Sequence, residues 1–269
     1  MTALVILADT HSNHKMGLNP PQVTLEEGDT WGACEIQKIT WNSYMDCLEK
    51  VKKIKGEKIG IVNGDYIDID EKNRTNQIIS RDEATITSIG ADVLDPMAKL
   101  CKKMYFIRGT EAHVGKGGAA EEIIASDFTN AVVCPETKKK SWWHLLLEVE
   151  GVRFDIGHHP QTNGGGRPFN SQGAIDRLAS DTLFMYANRG EKPPDIVLRA
   201  HIHRYLDSRD AFRVRAIISP PFTLLGAFAR RLGINDEPQL GAIVIHCSGG
   251  KYEVEPILYQ PRRLTWVRP

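Results

Sequence analysis

Six of the nine histidines of this chain fall in four short clusters, each with a carboxylate, a glycine or a second histidine: Asp9-Thr10-His11, Gly109-Thr110-Glu111-Ala112-His113, Gly157-His158-His159-Pro160 and Ala200-His201-Ile202-His203. Asn63-Gly64-Asp65 is a fifth group of the same kind. Imidazole nitrogens and carboxylate oxygens are the donors that bind divalent transition ions. Each group follows an apolar run: Leu4-Val5-Ile6-Leu7, Ile59-Gly60-Ile61-Val62, Tyr105-Phe106-Ile107, Val152 to Ile156 and Ile196-Val197-Leu198. Donors repeated at the ends of core strands are what a polynuclear metal site requires. The strands supply rigidity, and the loops just past them supply ligands that can converge.

Taken singly, the motifs differ in weight. Alternate residues of an extended segment share a face, so Asp9 and His11 can chelate one ion together, whereas Asp9 alone would serve equally as a turn cap. Gly64 lets the backbone turn tightly while Asp65 offers two oxygens to two ions; a solvated turn aspartate is the plainer alternative. Asp68 fits a turn or a supporting contact. His201 and His203, two apart after Val197-Leu198, aim both imidazoles to one side, and such a pair favours ligation over a hydrogen-bonded core histidine. Pro160 fixes the turn after His158-His159. His158 is the expected ligand, with His159 supporting it or facing substrate.

The elements that must position these residues follow from periodicity. Residues 3–8 form a continuous apolar strand, as expected where both faces are covered. Trp41, Tyr44, Met45, Leu48, Val51 and Ile54 make one helical stripe that Gly56 ends. Strand 58–62 leads to Gly64-Asp65. A second helix is expected over 81–101, broken or kinked at Asp95-Pro96, because proline disfavours a helical residue before it. There follow a strand at 105–107, a helix at 117–128, and a hairpin of 144–149 with 152–156 across Glu150-Gly151. A helix at 171–188 and strands at 194–198 and 212–218 come next. A C-terminal hairpin within 240–260 pairs 240–246 with 252–258. Residues 12–40, with Pro20, Pro21 and Trp31 and little periodicity, have the length of a lid or insert.

Helices alternate with strands in the first half and strands dominate the second. The expected fold class is therefore α/β, a two-sheet β-sandwich flanked by helices, in one domain over 1–269. With 269 residues, 41% hydrophobic and 25% charged, the chain supports one substantial core. Lys+Arg and Asp+Glu balance at 34 each, so no net field draws it towards nucleic acid or membrane, although a local basic groove is compatible with that balance. No run approaches the roughly 18 apolar residues of a membrane span, and the N-terminus lacks a signal-peptide layout. Cys34, Cys47, Cys101, Cys134 and Cys247 are scattered without a Cys-x-x-Cys pair. Reduced thiols, a cytoplasmic location and no membrane partner are expected.

In chain order, the five groups resemble the motif set of the calcineurin-like metallophosphoesterase superfamily, over about three-quarters of the chain. The resemblance implies a double β-sandwich with a two-metal centre at the C-terminal ends of strands. By position, it implies one ion held by Asp9, His11, Asp65 and His203. A second would take Asp65 as bridge, His158, His201 and a ligand from the third motif. There the sequence departs from the family pattern of Gly-Asn-His followed by an acid. Gly109 is followed instead by Thr110-Glu111-Ala112-His113. Glu111 could supply a carboxylate in place of the amide, leaving His113 as the proton donor, or Thr110 could occupy the ligand position. A carboxylate there favours hard ions, Mn²⁺ first and then Fe²⁺, with Zn²⁺ or Ni²⁺ as further candidates. Ala200 stands where the family has glycine.

The chemistry so implied is hydrolysis of phosphate mono- or diesters by a metal-bridging hydroxide, with Asp65 and His113 as the catalytic residues. A phosphodiesterase or nuclease is favoured over a monoesterase, so the expected partner is a phosphate ester, nucleotide or nucleic acid. Gly164-Gly165-Gly166-Arg167 could bring backbone N–H groups and a guanidinium to phosphate, making Arg167 and His159 candidate substrate contacts. Gly115-Lys116-Gly117-Gly118 lacks the Ser/Thr of a P-loop and is not one. Trp142-Trp143 beside Lys138-Lys139-Lys140 could stack bases, with packing the plainer role. The missing asparagine motivates one competing function, a non-catalytic binding scaffold of the same fold. Retention of Asp9, His11, Asp65, His158, His201 and His203 argues against it.

Overall fold

The computed structural model describes residues 1–70, 75–160, 171–234, 236–261 and 266. In chain order the elements are β1 (Thr2–Leu7), β2 (Gln22–Thr24), β3 (Thr30–Gly32), α1 (Glu35–Lys53), β4 (Glu57–Asn63), α2 (Glu83–Leu100), β5 (Lys103–Ile107), α3 (Glu111–Val114), α4 (Ala119–Asp127), β6 (Ser141–Trp142), β7 (Leu145–Val149), β8 (Val152–Ile156), α5 (Ser171–Asn188), β9 (Ile196–Arg199), β10 (Leu206–Asp207), β11 (Arg215–Ile218), α6 (Ala227–Arg231), β12 (Leu240–Ser248) and β13 (Lys251–Tyr259). One sheet has the order β13-β12-β1-β4-β5-β6 and a second the order β10-β11-β9-β8-β7. Within the first, β1, β4 and β5 run parallel; within the second, β8 and β9 do. Parallel neighbours end at the same edge, and each of these five strands is followed by one of the five motifs.

Alternation along the strands builds three apolar layers. Leu4, Ile6, Ile59 and Ile61 meet Phe154, Ile156, Ile196 and Leu198 between the sheets. The opposite face of β1, with Ala3, Val5 and Leu7, packs under α1 and α2. On the far side, Val197, Ala216 and Ile218 pack under Ile175, Leu178 and Ala179 of α5. The α/β sandwich flanked by helices is thus the observed architecture. Both faces of β1 are covered, which is why its sequence is apolar from Ala3 to Leu7 rather than alternating.

Three local expectations are revised. Helix α1 begins earlier than its apolar stripe, at Glu35, where the Gln37 side chain accepts the Cys34 N–H at 2.8 Å. Helix α2 runs through Pro96 instead of breaking at it. Val93, Leu94, Met97 and Ala98 are all buried, and packing on both sides of the proline outweighs a penalty of about 3 kcal/mol. The strand expected over 212–218 is confined to Arg215–Ile218. In the 12–40 segment, Ser12, Asn13, Leu18 and Asn19 are buried, and Leu18 N–H donates to Thr10 O at 2.7 Å. That stretch packs beside the first motif, while the β2–β3 hairpin stays largely at the surface. Among the described residues, no helix is long and apolar enough to cross a membrane.

Candidate metal centre

The loops after β1, β4, β5, β8 and β9 bring their polar side chains to one point. Asp9 is completely buried; its Oδ2 accepts the His201 N–H at 3.1 Å. Its Oδ1 has no hydrogen-bond partner and lies 3.5 Å from His203 Nε2 and 3.9 Å from His158 Nε2. His11 Nε2 and His203 Nε2 stand 3.1 Å apart. Two nitrogens bound to one ion at about 2.0–2.1 Å would have a separation of about that size. Asp65 Oδ2 is 3.0 Å from His158 Nε2 and 3.8 Å from His201 Nδ1. Asp9, His11 and His203 form one candidate ligand group, and Asp9, Asp65 and His158 another. His158, His159 and His201 form a further one.

Contacts behind the ligands fix their orientation. His158 Nδ1 donates to Asn63 O at 2.7 Å, which turns Nε2 into the site. Asp68 serves two imidazoles at once, with Oδ2 at 3.0 Å from His113 Nδ1 and 3.6 Å from His11 Nδ1. Gly64 and Gly109 are needed for close approach. A Cβ on Gly64 would lie 2.3 Å from His158 Nδ1, and a Cβ on Gly109 would lie 2.2 Å from Asp65 Oδ1.

The backbone does not deliver these ligands as extended segments. Asp9, His11, Asp65, His201 and His203 have φ of 48°, 43°, 49°, 73° and 53°. Non-glycine residues held in that region cost about 1–3 kcal/mol each and cluster at functional sites. His201 and His203 consequently part, His201 facing Asp65 and Thr110, His203 facing Asp9 and His11.

Electrostatics follow the same geometry. Burial opposes the charge on Asp65, but the His158 imidazole outweighs it and holds the carboxyl well below the usual carboxylate range. Burial likewise opposes protonation of His158, and Asp65 reverses that, pushing it up to about 9. His11 is lowered, chiefly by burial. His113 is raised, because Asp68 outweighs the burial that would lower it.

The donor set fits divalent cations. An unpaired carboxylate oxygen inside a buried site is costly, and His158, whose Nδ1 is hydrogen-bonded to Asn63 O, presents Nε2 to the same space. The third motif differs from expectation. The Glu111 side chain is exposed and accepts the Gly117 N–H at 3.3 Å. Its place is taken by Thr110, whose N–H donates to Asp65 Oδ1 at 2.5 Å and whose hydroxyl lies 3.0 Å from Asp65 Oδ2. Thr110 caps the short helix α3, so the next side chain is carried away from the cluster. The carboxylate that argued for hard ions is therefore not in this geometry. Arg167 and the glycine run before it lie outside the described residues. Trp142 packs inward, its Nε1–H donating to Val132 O at 2.9 Å, whereas Trp143 is exposed under the Arg108 guanidinium.

One supporting residue escaped the sequence analysis. Glu121 is fully buried; its carboxyl accepts the Gly109 N–H at 2.7 Å and the Tyr66 N–H at 3.4 Å, joining the loops that carry Thr110 and Asp65. Burial, then the Asp65 charge, raise it to about 8. The signal was present: Glu121 shares its helical stripe with buried Ile124 and Ala125, and an acid on an apolar face needs a partner.

Two facing sheets, helices outside them and an Asp/His cluster at the strand ends make up the class of architecture that the motif resemblance implies. The structure is similar to a dimetal phosphatase from Danio rerio, with a TM-score of 0.51 and 7% identity, covering 94% of this chain and 95% of that one. It is also similar to wild-type Vps29 from Entamoeba histolytica complexed with Zn²⁺, with a TM-score of 0.45 and 8% identity, covering 95% of this chain and 98% of that one. A predicted phosphoesterase from Streptococcus pneumoniae matches with a TM-score of 0.36 and 7% identity, covering 94% and 97%. At 7% identity the likeness to the dimetal phosphatase is one of fold. No protein-family model matches the sequence, and no curated protein does.

Proposed function

We propose that the protein is a metal-dependent phosphoesterase acting on phosphodiesters, nucleotides or nucleic acid included, through one catalytic domain in the cytoplasm. The observation that carries this reading is the orphaned, fully buried Asp9 Oδ1 beside His203 and His158. A cation is the partner that such an oxygen lacks. Asp9, His11 and His203 would hold one divalent ion, His158 and His201 a second, and Asp65 would serve both. Ions so bound supply Lewis acidity towards a phosphoryl group and lower the pKa of water.

The chain's own residues do the rest. His113, whose pKa Asp68 raises, would give its proton to the leaving oxygen, and its ring is 37% exposed, so substrate can reach it. Two recesses border the cluster, one at His113 and the other at His158 and His159. One of about 430 Å³ is lined by His14, Gln77, His113, Phe228 and Arg231. Another of about 180 Å³ is lined by Arg108, Trp143, His144, His159 and Arg199. A diester carries a substituent on either side of phosphorus and would fill both, whereas a monoester fills one. Trp143 and Phe228 add exposed aromatic rings that favour planar substituents.

The test compares bis-p-nitrophenyl phosphate with p-nitrophenyl phosphate, with Mn²⁺ first and then Zn²⁺, Fe²⁺ and Ni²⁺. The expected result is a higher kcat/KM for the diester, abolished by Asp65→Asn. Metal-replete protein inert towards both esters and towards single-stranded DNA and RNA would replace this reading by a binding scaffold, the alternative that the displacement of Glu111 favours.

A further inference from the structure

We propose that His159 is a ligand of the second ion and takes the coordination position for which the third motif supplies no amide or carboxylate. The inference rests on the two-ion reading above and deepens it. Sequence order alone left His159 as a support or a substrate contact. In the structure, its ligand atom and those of His158 and His201 all lie within 4.8 Å of one another. The His159 ring is 4.6 Å from that of His201 and 4.8 Å from that of His158, centroid to centroid.

The Thr110 hydroxyl marks the shared space. It lies 3.0 Å from Asp65 Oδ2, 3.1 Å from His159 Nε2 and 3.1 Å from His201 Nδ1. A hydroxyl has one hydrogen to donate. If it donates to the Asp65 carboxylate, both imidazole nitrogens must be protonated towards it for the contacts to be favourable. A cation removes that requirement, because lone pairs of both rings and the carboxylate can then face one centre. His158 Nε2, 3.0 Å from the same Asp65 oxygen, supplies a third nitrogen.

The two sites then differ in chemistry. The first offers two imidazoles, His11 and His203, with Asp9 and Asp65. The second offers three imidazoles, from His158, His159 and His201, with Asp65. Imidazole-rich sets suit Zn²⁺, Co²⁺ and Ni²⁺ better than Mn²⁺, which prefers oxygen. The second site is therefore the one selective for the borderline ions.

The experiment titrates metal-free protein with Co²⁺, following visible absorbance and bound metal by elemental analysis, for the wild type, His159→Gln, His11→Gln and Thr110→Val. The wild type is expected to bind two equivalents. His159→Gln should weaken one of the two steps by roughly 10–100-fold or more and alter its spectrum, leaving the other step intact. His11→Gln should weaken the complementary step. His159 is exposed, and an unchanged unfolding midpoint of the metal-free variant would show that folding is retained. Wild-type protein binding fewer than two equivalents would overturn the two-ion reading itself. Two equivalents in both the wild type and His159→Gln, with the same affinities and spectra, would overturn only the assignment of His159. So would loss of the second step in Thr110→Val with none in His159→Gln.

Discussion

The carboxyl of Glu121 accepts the backbone N–H of Gly109 at 2.7 Å, and so anchors the loop behind Thr110 to helix α4. The same carboxyl reaches Tyr66 N–H, next to Asp65. Glu121→Ala leaves two buried donors without acceptors, each costing about 1–3 kcal/mol. Chemical denaturation should show a loss of that order, with metal content falling as the two loops separate. An unchanged midpoint would mean that water replaces the carboxyl without cost.

Protonation of Glu121 should also be visible as a pH-dependent difference. Its folded value of about 8 lies above the ordinary 4.5. Between those values the unfolded chain has released the proton and the folded chain retains it, so the wild type loses stability as pH rises through that window. Glu121→Gln has no such proton. For metal-free protein, the stability of Glu121→Gln relative to wild type is expected to rise from pH 5 to about 8 and then level off. A flat difference would show that Glu121 is ionised when buried.

The pairing of His113 with Asp68 concerns the leaving group. His113→Gln should lower kcat by roughly 10²–10⁴ for alkyl esters, and far less for p-nitrophenyl esters, whose leaving oxygen needs no proton. Asp68 raises the His113 pKa. Activity that needs the imidazolium falls as pH rises through that pKa, so Asp68→Asn should move the alkaline limb to lower pH. Metal analysis of the same sample is required, because Asp68 also faces His11. Equal losses with both classes of ester would remove His113 from the role of acid.

Gly64 has a φ of 79°, and a side chain there would collide with His158. Gly64→Ala is expected to cost more than the roughly 1–3 kcal/mol of backbone strain alone and to reduce metal binding. Gly28→Ala is the matching control: its φ is 86°, and nothing lies within 4 Å of the added methyl. Comparable thermal shifts in both variants would show that the approach of His158 to Gly64 relaxes freely.

The sequence by itself determined which atoms could bind metal and which strands carried them. An apolar run is legible wherever both of its faces are covered, and donor types are legible wherever they cluster, so Asp9, His11, Asp65, His158, His201 and His203 stood out before any fold was known. The C-terminal hairpin of β12 and β13 was equally plain, because alternation and the Ser248-Gly249-Gly250 turn are local properties. Tertiary structure decided where those atoms point. The left-handed backbone at Asp9, His11, Asp65, His201 and His203, a conformation that aspartate and histidine enter more readily than most residues, sends His201 and His203 to different neighbours. The contact of Thr110, rather than Glu111, with Asp65, and that of Glu121 from a helix remote in sequence, depend on the packing of distant segments. Pro96 inside α2 belongs with them, since a local penalty of about 3 kcal/mol yields to burial on either side. Local chemistry is written in residue types, whereas orientation depends on partners distant along the chain.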